Sequence, residues 1–468
     1  MTSTTVQRPE NPFAHLGEQD REKLAKELDA IHDDVFADLG DRDRRYIKSV
    51  IKAERQIVVA GRVLLLASRS KTAWVLGTAC LGTAKILENM EIGHNVMHGQ
   101  WDWMNDPDIH SSVWDWDTAS TAESWKHSHN FIHHTYTNIR GKDKDLGYEI
   151  MRIDPNQKWK PAYLGQFFYN MLLTALFEWG VAIHDLDIDA IRSGDKPWSE
   201  VRKDLKGIGV KARSQIIKDY IGWPLISAGA FALVQLATRG RLEQPSTSRL
   251  GKRLRKVSSN GRLGSTATFF DRALPGVEST FLRTLAANAL ANVIRNVWSH
   301  AIIFCGHFPD QTYTFNQDEV EDETRGDWYL RQLVGAANID GSPLFHLMSG
   351  NLSFQVEHHL YPDMPSSRYS EIAPKIKDIC ERYELPYNTG RFSKQWYTVH
   401  RTIFRLAFPG GKPRPKPGPY HAENGRTAPQ GPGEASRFRE RVPAEHPAAG
   451  PEHESGGVEV QPPPRGKD

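Results

Sequence analysis

The chain has 468 residues, a formal net charge of +2 at pH 7, and 39% hydrophobic and 25% charged residues. A charge this close to zero argues against nucleic acid as a partner, and three cysteines without a pattern exclude a disulfide framework or a four-thiolate metal cluster. The polar average conceals an apolar middle, because residues 1–50 and 406–468 are far more polar than the region between them.

The two ends of the chain are predicted to differ from this middle. Residues 1–50 form a polar segment that we expect to be helical, and it lacks the apolar run of a secretory signal. Residues 406–468 are rich in proline, glycine and charge. Because such a composition buries too little apolar surface to fold, we predict a disordered tail. Residues 51–405 are therefore the predicted structured domain.

Apolar stretches in this domain compete as membrane-spanning helices, each of which needs about 20 mostly apolar residues. They are Ile57–Ala67, Thr72–Leu87, Tyr163–Ile183, Tyr220–Ala237 and Leu285–Phe304. The intervening Ser68–Lys71 is predicted to be a tight turn between the first two. Buried helices of a soluble protein would give a similar pattern, so that alternative stays open at this point.

Three histidine clusters lie close to these stretches. They are His94 with His98, His129 with His133 and His134, and Gln355 with His358 and His359. Neutral imidazole is a strong ligand for iron and zinc. Since helical residues at i and i+4 share a face, each cluster is predicted to present its donors to one point. The clusters together indicate a polynuclear metal site at a membrane, with a zinc site or a histidine-rich transport path as alternatives.

The clusters also constrain the membrane topology, because one metal centre requires all of them on the same side of the bilayer. An even number of crossings must then separate His134 from His358, although three apolar stretches lie between them. Tyr163–Ile183 contains Glu178, and we predict that this stretch lies in the membrane interface as an amphipathic helix. Four spanning helices in two hairpins remain.

Two features of the second half of the domain bear on this topology. Polar residues inside Leu285–Phe304 are costly in hydrocarbon and are predicted to face the protein interior and the site. They are Asn288, Asn292, Arg295, Asn296 and His300. The basic segment 239–277 lies opposite the histidines in the four-helix topology, whereas basic loops prefer the cytoplasm. The sequence leaves this conflict open.

At the histidine clusters the chain resembles the membrane fatty acid desaturases, whose three boxes read HxxxH, Hx2–3HH and [HQ]xxHH. The resemblance covers residues 57–405, and residues 93–106, 127–148 and 354–365 look like the actinobacterial acyl-CoA desaturases. It implies an all-α integral membrane fold, with four transmembrane helices in two hairpins and a cytosolic helical cap that holds a di-iron site. Segment 239–277 departs from this pattern as an insertion.

The resemblance also implies the site residues. The metal ligands carried over from the boxes are His94, His98, His129, His133, His134, His358 and His359. A further ligand is implied just after the last spanning helix, where His307 fits better than His300. Gln355 stands where the third box often has histidine. Asp143 and Asp145 are predicted to orient ligating imidazoles, with a solvated loop as the alternative, and His127 is predicted to lie near the site without ligating.

The implied activity is O2-dependent insertion of a cis double bond into an acyl chain, carried as acyl-CoA or acyl-lipid, at the cytoplasmic face of the inner membrane. Removing hydrogen from an unactivated alkyl chain requires a redox cofactor, so two iron ions are expected, with O2 as co-substrate. We find no convincing flavin or nicotinamide fingerprint, so a separate ferredoxin or NAD(P)H-dependent flavin or iron–sulfur reductase is expected. A di-iron lipid hydroxylase and a metal transporter are the alternatives.

Overall fold

The computed structural model describes residues 11–237, 264–410, 416–422 and 426–429, and the side chains within these ranges except those of residues 264–275 and 426–429. Helices dominate. In chain order they are α1 (Glu18–Ala37), α2 (Asp41–Leu66), α3 (Lys71–Leu87), α4 (Asn95–Met97), α5 (Ala122–Trp125), α6 (His134–Tyr136), α7 (Gln166–Ala175), α8 (Phe177–His184), α9 (Ile188–Ser193), α10 (Trp198–Gln215), α11 (Trp223–Ala237), α12 (Gly264–His307), α13 (Arg325–Gly335), α14 (Pro343–Met348), α15 (Gln355–Leu360), α16 (Tyr369–Arg382) and α17 (Phe392–Leu406).

Shorter elements complete the described chain. The wide π-helical turns are Glu88–His94, Lys126–His133 and Ile216–Gly222, and the tight 3-10 turns are Asp102–Met104, Leu146–Glu149, Pro161–Gly165, Gln317–Glu319, Leu352–Phe354 and Ser366–Arg368. Strand β1 (Asn338–Asp340) pairs in parallel with β2 (Thr389–Arg391), and β3 (Pro417–His421) pairs antiparallel with β4 (Arg426–Pro429). The mostly helical architecture predicted from the sequence is confirmed.

Four helices form a bundle in which α2 packs on α3, α3 on α12 and α12 on α11. The predicted turn at Ser68–Lys71 is present, and Ser70 caps α3 by accepting a hydrogen bond from the backbone N–H of Ala73. Small residues bring α2 and α3 together, because a Cβ added at Gly77 would lie 2.9 Å from the Leu65 side chain.

The outer faces of this bundle are apolar. Large exposed side chains on it include Val59, Val63, Val75, Leu76, Leu225, Leu233, Leu282 and Leu290. Within the described ranges, one helix, Trp198–Ala237, is both long and apolar enough to cross a membrane by length and composition. The predicted count of four spanning helices therefore stays a prediction.

Tyr163–Ile183 is divided between two short helices, α7 with 10 residues and α8 with 8, and neither is long enough to cross a bilayer alone. Glu178 does not face outward as an interfacial position would suggest. It is buried, and Oε1 pairs with Nη2 of Arg295 at 2.5 Å while Oε2 accepts a hydrogen bond from Gln215. The carboxylate therefore joins α8 to α10 and α12.

The polar residues of the predicted Leu285–Phe304 stretch are all buried, as predicted, but most of them bind neighbouring helices rather than the histidine site. Asn288 accepts a hydrogen bond from Arg62 of α2, and His300 lies 3.0 Å from Asn170 of α7. The expectation that they face the site is wrong except for Asn296, which lines the cavity described below. Asn292 donates a hydrogen bond to the Tyr220 hydroxyl, and Arg295 donates one to the backbone carbonyl of Asp117.

The segments at the edges of the predicted domain are also part of the fold. Helix α1 packs into the cap, where Leu24 and Leu28 join the same apolar core as Trp328 and Val356. Residues 239–263 of the basic insertion lie outside the described residues, and residues 264–277 begin the long helix α12.

The predicted disorder of residues 406–468 is wrong for the β3–β4 hairpin. Tyr420 is buried there, stacks edge-on against Tyr387, and donates its backbone N–H to the Leu385 carbonyl. The buried Tyr420 side chain thus anchors a segment that is polar on average. The part of the predicted tail after residue 429 lies outside the described residues.

Candidate metal centre

The first two histidine clusters lie on or next to π-helical turns, whereas the third lies on the short α-helix α15. His94 ends the π-helical turn Glu88–His94, and His129 and His133 lie within Lys126–His133. A π-helical turn widens the helix and changes the direction of its side chains, and such turns are frequent at functional sites. The regular helix assumed for the first two clusters is therefore replaced by a π-helical turn, although their histidines still converge.

The histidines converge in two groups. In the first, nitrogen atoms of His94, His98, His129 and His358 lie within 4.8 Å of one another, and in the second those of His133, His307 and His359 do so. His134 lies between the groups, with its ring centroid 4.9 Å from that of His358 and 4.6 Å from that of His359. The arrangement provides two adjacent metal-binding positions.

The second and third clusters each divide between the two positions. His129 and His358 lie in one group, whereas His133 and His359 lie in the other. The expectation that each cluster points its donors to a single position is wrong for these two. Within each of these two segments, the two histidine side chains point in different directions. One short segment can therefore contribute a side chain to each of the two groups.

Unpaired ring nitrogens indicate that this centre fits metal ions. Among the described residues, no hydrogen-bond partner reaches the buried Nε2 of His98, His129, His133, His358 and His359, Nδ1 of His307, or either nitrogen of His134. Buried polar atoms are almost always hydrogen-bonded. A set of unpaired imidazole nitrogens that converge is the donor arrangement that iron or zinc would occupy.

The opposite ring nitrogens are held by neighbouring side chains. Nδ1 of His94 lies 3.1 Å from Oδ1 of Asn95, and Nδ1 of His358 lies 3.2 Å from the Tyr369 hydroxyl. Nδ1 of His359 lies 3.1 Å from Oε1 of Gln332. Such partners fix the tautomer and orientation of a ligating imidazole. Tyr369 and Gln332 had no signal in the sequence, because only the folded cap brings them to the boxes.

Asp143 and Asp145 both lie at the centre. Oδ1 of Asp143 is 3.0 Å from Nδ1 of His133, and Oδ2 of Asp145 is 3.6 Å from Nδ1 of both His129 and His133. Asp143 is buried, which excludes the solvated-loop alternative for it. Asp145 also contacts His184 at 2.9 Å, a neighbour that the sequence did not indicate.

Burial keeps most of these imidazoles neutral, the form that binds metal. It lowers the pKa of His94 to about 3. It also lowers the pKa of the following residues well below the ordinary value: His98, His134, His307, His358 and His359. For His133, burial opposes protonation, but the carboxylates of Asp143 and Asp145 outweigh it and raise the pKa to about 9. These carboxylates thus increase the basicity of His133 as a ligand.

Replacing Asp143 with asparagine is expected to weaken metal binding by about 10–100-fold, because the imidazole of His133 loses its carboxylate partner. Iron affinity is measured by competition with a chelator on the full-length protein. Asp189→Asn, at an exposed carboxylate on α9, is the matched control and should bind iron like the parent protein. Equal affinities for both variants would show that Asp143 does not support the site.

The remaining sequence candidates take distinct places. Gln355 is buried with its Nε2 3.1 Å from Nε2 of His307, so it lies at the second group. His127 is exposed and stacks on Phe131, on the outer side of the second cluster. His346 lies on α14, with Nδ1 2.6 Å from the Ser353 hydroxyl.

A small cavity that is partly open to solvent lies against the histidines. Its wall includes His94, His129 and His307 together with the apolar side chains of Trp116, Trp125, Phe177 and Val181. Trp125 stacks on His129 with ring centroids 4.5 Å apart. Trp125 lines this cavity, whereas Trp101 and Trp103 belong to an apolar core.

Fold and site together define a helical protein with two adjacent groups of histidines that could hold metal ions beside a largely apolar cavity, an arrangement that suits a metal-dependent oxidoreductase. A family model described as fatty acid desaturase matches residues 71–241 and 220–391. The chain belongs to the fatty acid desaturase family and is an oxidoreductase. The family and enzyme class predicted from the sequence are confirmed.

Individual relatives agree with this assignment. The chain is 44% identical over 397 residues to the NADPH-dependent stearoyl-CoA 9-desaturase of Mycobacterium tuberculosis, covering 85% of this chain and 82% of the relative. It is 34% identical over 139 residues to human fatty acid desaturase 3, covering 29% and 28%. It is 24% identical over 319 residues to Delta(5) fatty acid desaturase A of Dictyostelium discoideum, covering 64% and 56%. No solved structure matches the chain.

Proposed function

We propose that this desaturase acts on fatty acyl-CoA, using O2 and two iron ions held by His94, His98, His129, His133, His134, His307, His358 and His359. The observation that carries the proposal is the convergence of seven of these histidines in two groups, within each of which ring nitrogens lie within 4.8 Å of one another, with His134 between the groups. Their all-nitrogen donor set contrasts with the carboxylate-rich sites of soluble di-iron proteins. Gln355, Asp143 and Asp145 support the ligands.

The bound iron would supply the oxidising power that removes two hydrogens from the alkyl chain. The protein's own residues bind, orient and enclose the substrate. Trp116, Trp125 and Phe177 give the cavity an apolar wall that suits an acyl chain, and the cavity runs along His94 and His129. Where this wall covers the acyl chain, it would exclude water from the reacting carbons, which limits side reactions.

Acyl-CoA is the proposed substrate because the Mycobacterium tuberculosis relative, similar over most of both chains, is named a stearoyl-CoA 9-desaturase. That relative is also named NADPH-dependent. We therefore propose a separate electron donor, either a ferredoxin or an NAD(P)H-dependent flavin or iron–sulfur reductase, which docks on the cytoplasmic side.

The proposed location is the inner membrane, with four spanning helices and the metal centre facing the cytoplasm. The apolar outer faces of α2, α3, α11 and α12 support this arrangement, since contiguous exposed apolar surface indicates lipid contact. The broken pair α7–α8 would then lie in the interface. Two hairpins place all three histidine clusters on one side.

The test is conversion of stearoyl-CoA by purified full-length protein with NADPH, O2 and an electron-donor system. Gas chromatography–mass spectrometry of derivatised products should find a new double bond. A hydroxylated acyl chain as the sole product would favour a di-iron lipid hydroxylase instead, since both reactions begin with the same hydrogen abstraction. Conversion of phospholipid-bound but not CoA-bound chains would overturn the proposed carrier.

A further inference from the structure

Helix α17 is the last helix in the described part of the chain, and it has one unusually apolar exposed face. Its inner face buries Gln395, Thr398, Val399, Ile403 and Leu406. On the outer face, Tyr397 is 61% exposed and Phe404 57% exposed, and Phe408 is 47% exposed just beyond the helix. Phe404 and Phe408 contact each other with ring centroids 5.6 Å apart, and an exposed apolar patch of this kind is typical of an interaction or membrane surface.

The same face carries positive charge. Lys394 and Arg405 are exposed, and Arg401 pairs with Asp310 at 2.7 Å. The helix contains no acidic residue between Phe392 and Leu406. Lysine and arginine beside aromatic side chains on one helix face are typical of helices that lie in a membrane interface, where the rings sit at headgroup level and the cations meet anionic lipid.

The position of α17 places this face at the level of the membrane. Its inner side packs on α12, with ring centroids of Phe392 and Trp298 6.3 Å apart and those of Trp396 and His300 5.9 Å apart. Trp298 and His300 belong to the apolar stretch Leu285–Phe304. In the proposed four-helix topology, a helix that packs on this end of α12 lies beside the bilayer surface.

Helix α7 extends the surface on the other side of α17. Gln166 at its start donates a hydrogen bond to the Ile403 carbonyl, which holds the two helices together. On α7, Phe168 is 71% exposed, and Met171 and Leu172 are exposed beside it. The aromatic face of α17 is thus continuous with an apolar face that contains no charge.

We propose that α17 is a membrane-surface helix, with Tyr397, Phe404 and Phe408 inserted in the cytoplasmic interface and Lys394 and Arg405 bound to the phosphates of anionic lipids. The inference rests on the proposed four-helix topology. It means that the chain returns to the bilayer after the cap. The cap is then held to the membrane at its carboxyl end as well as through α12.

The test uses full-length protein in lipid nanodiscs, with spin labels attached to Phe404→Cys and Tyr397→Cys. Cys80 is replaced by serine, whereas Cys305 and Cys380 can stay because they are buried and do not react with the label. Accessibility to O2 and to an aqueous nickel chelate is measured by electron paramagnetic resonance. Leu233→Cys on α11 is the lipid reference and Lys26→Cys on α1 the aqueous reference. Labels on α17 should match the lipid reference.

Three other outcomes of this experiment would each contradict a particular part of the account. Labels on α17 that match Lys26→Cys would overturn the proposal and leave the face free for a soluble partner such as an electron donor. Exclusion of both reagents with dipolar broadening would overturn it in favour of a second copy of this chain. An aqueous signal from Leu233→Cys itself would instead overturn the underlying membrane topology.

The charge requirement is tested separately by counting lipids retained by the protein in native mass spectrometry. Lys394→Gln and Arg405→Gln should each weaken retention of phosphatidylglycerol about fivefold and leave phosphatidylcholine unchanged. Lys26→Gln, at an exposed lysine of the cap, is the matched control. Unchanged phosphatidylglycerol retention in both α17 variants would overturn the anionic-lipid part of the proposal.

Discussion

Replacing His133 with alanine is expected to lower the iron content to at most one ion per chain and to reduce desaturation by more than about 100-fold, beyond the loss typical of a supporting residue. The reason is geometric. His133 contributes a buried, unpaired Nε2 to the group that it forms with His307 and His359. Two imidazoles and the neighbouring His134 would remain, so the second position loses one donor and is expected to bind iron more weakly.

His127→Ala provides the matched control for this experiment. His127 belongs to the same cluster in the sequence, but it is exposed and stacks on Phe131. Its loss should leave iron content and desaturation close to those of the parent protein. Full activity and two bound ions in His133→Ala would refute the assignment of the second metal position.

Replacing Arg368 with leucine is expected to destabilise the protein by about 3–5 kcal/mol, because it leaves the Asp43 carboxylate buried without a counter-charge. The two side chains are 3% and 2% exposed, with Nε–Oδ1 and Nη2–Oδ2 distances of 2.6 and 2.7 Å. This pair joins the start of α2 to the turn before α16. Thermal unfolding in detergent, followed by thiol labelling of buried Cys305 and Cys380, measures the effect.

An exposed ion pair on the same surface supplies the comparison. Arg42 is 57% exposed and lies 3.0 Å from Glu371. Arg42→Leu should cost no more than about 1 kcal/mol, as surface pairs do. The double substitution Arg368→Leu with Asp43→Leu should recover part of the lost stability, since no unpaired charge remains. Equal unfolding temperatures for Arg368→Leu and Arg42→Leu would contradict this account of the buried pair.

The ligand candidates could be predicted from the sequence because box spacing depends on local backbone structure. His94 and His98, or His358 and His359, lie on single short segments, so their proximity needs no knowledge of the tertiary fold. His307 required the family resemblance, since it lies far from the boxes along the chain. The structure brings it to His133 and His359.

What the sequence could not provide came from long-range packing. Gln332 and Tyr369 reach His359 and His358 only because α13 and α16 fold over the third box. The second box, which divides between the two groups, lies in a π-helical turn that hydrophobic periodicity does not reveal. The amphipathic pattern of α17 can be recognised in the sequence. Its packing against α12, which sets its position relative to the proposed membrane, cannot.

The central claim is that the histidines hold two iron ions, and the most direct measurement is the metal content and ligand environment of the full-length protein. Elemental analysis should give two irons per chain, and X-ray absorption should fit nitrogen and oxygen neighbours without sulfur. A single iron per active chain, or iron bound by sulfur, would contradict the account.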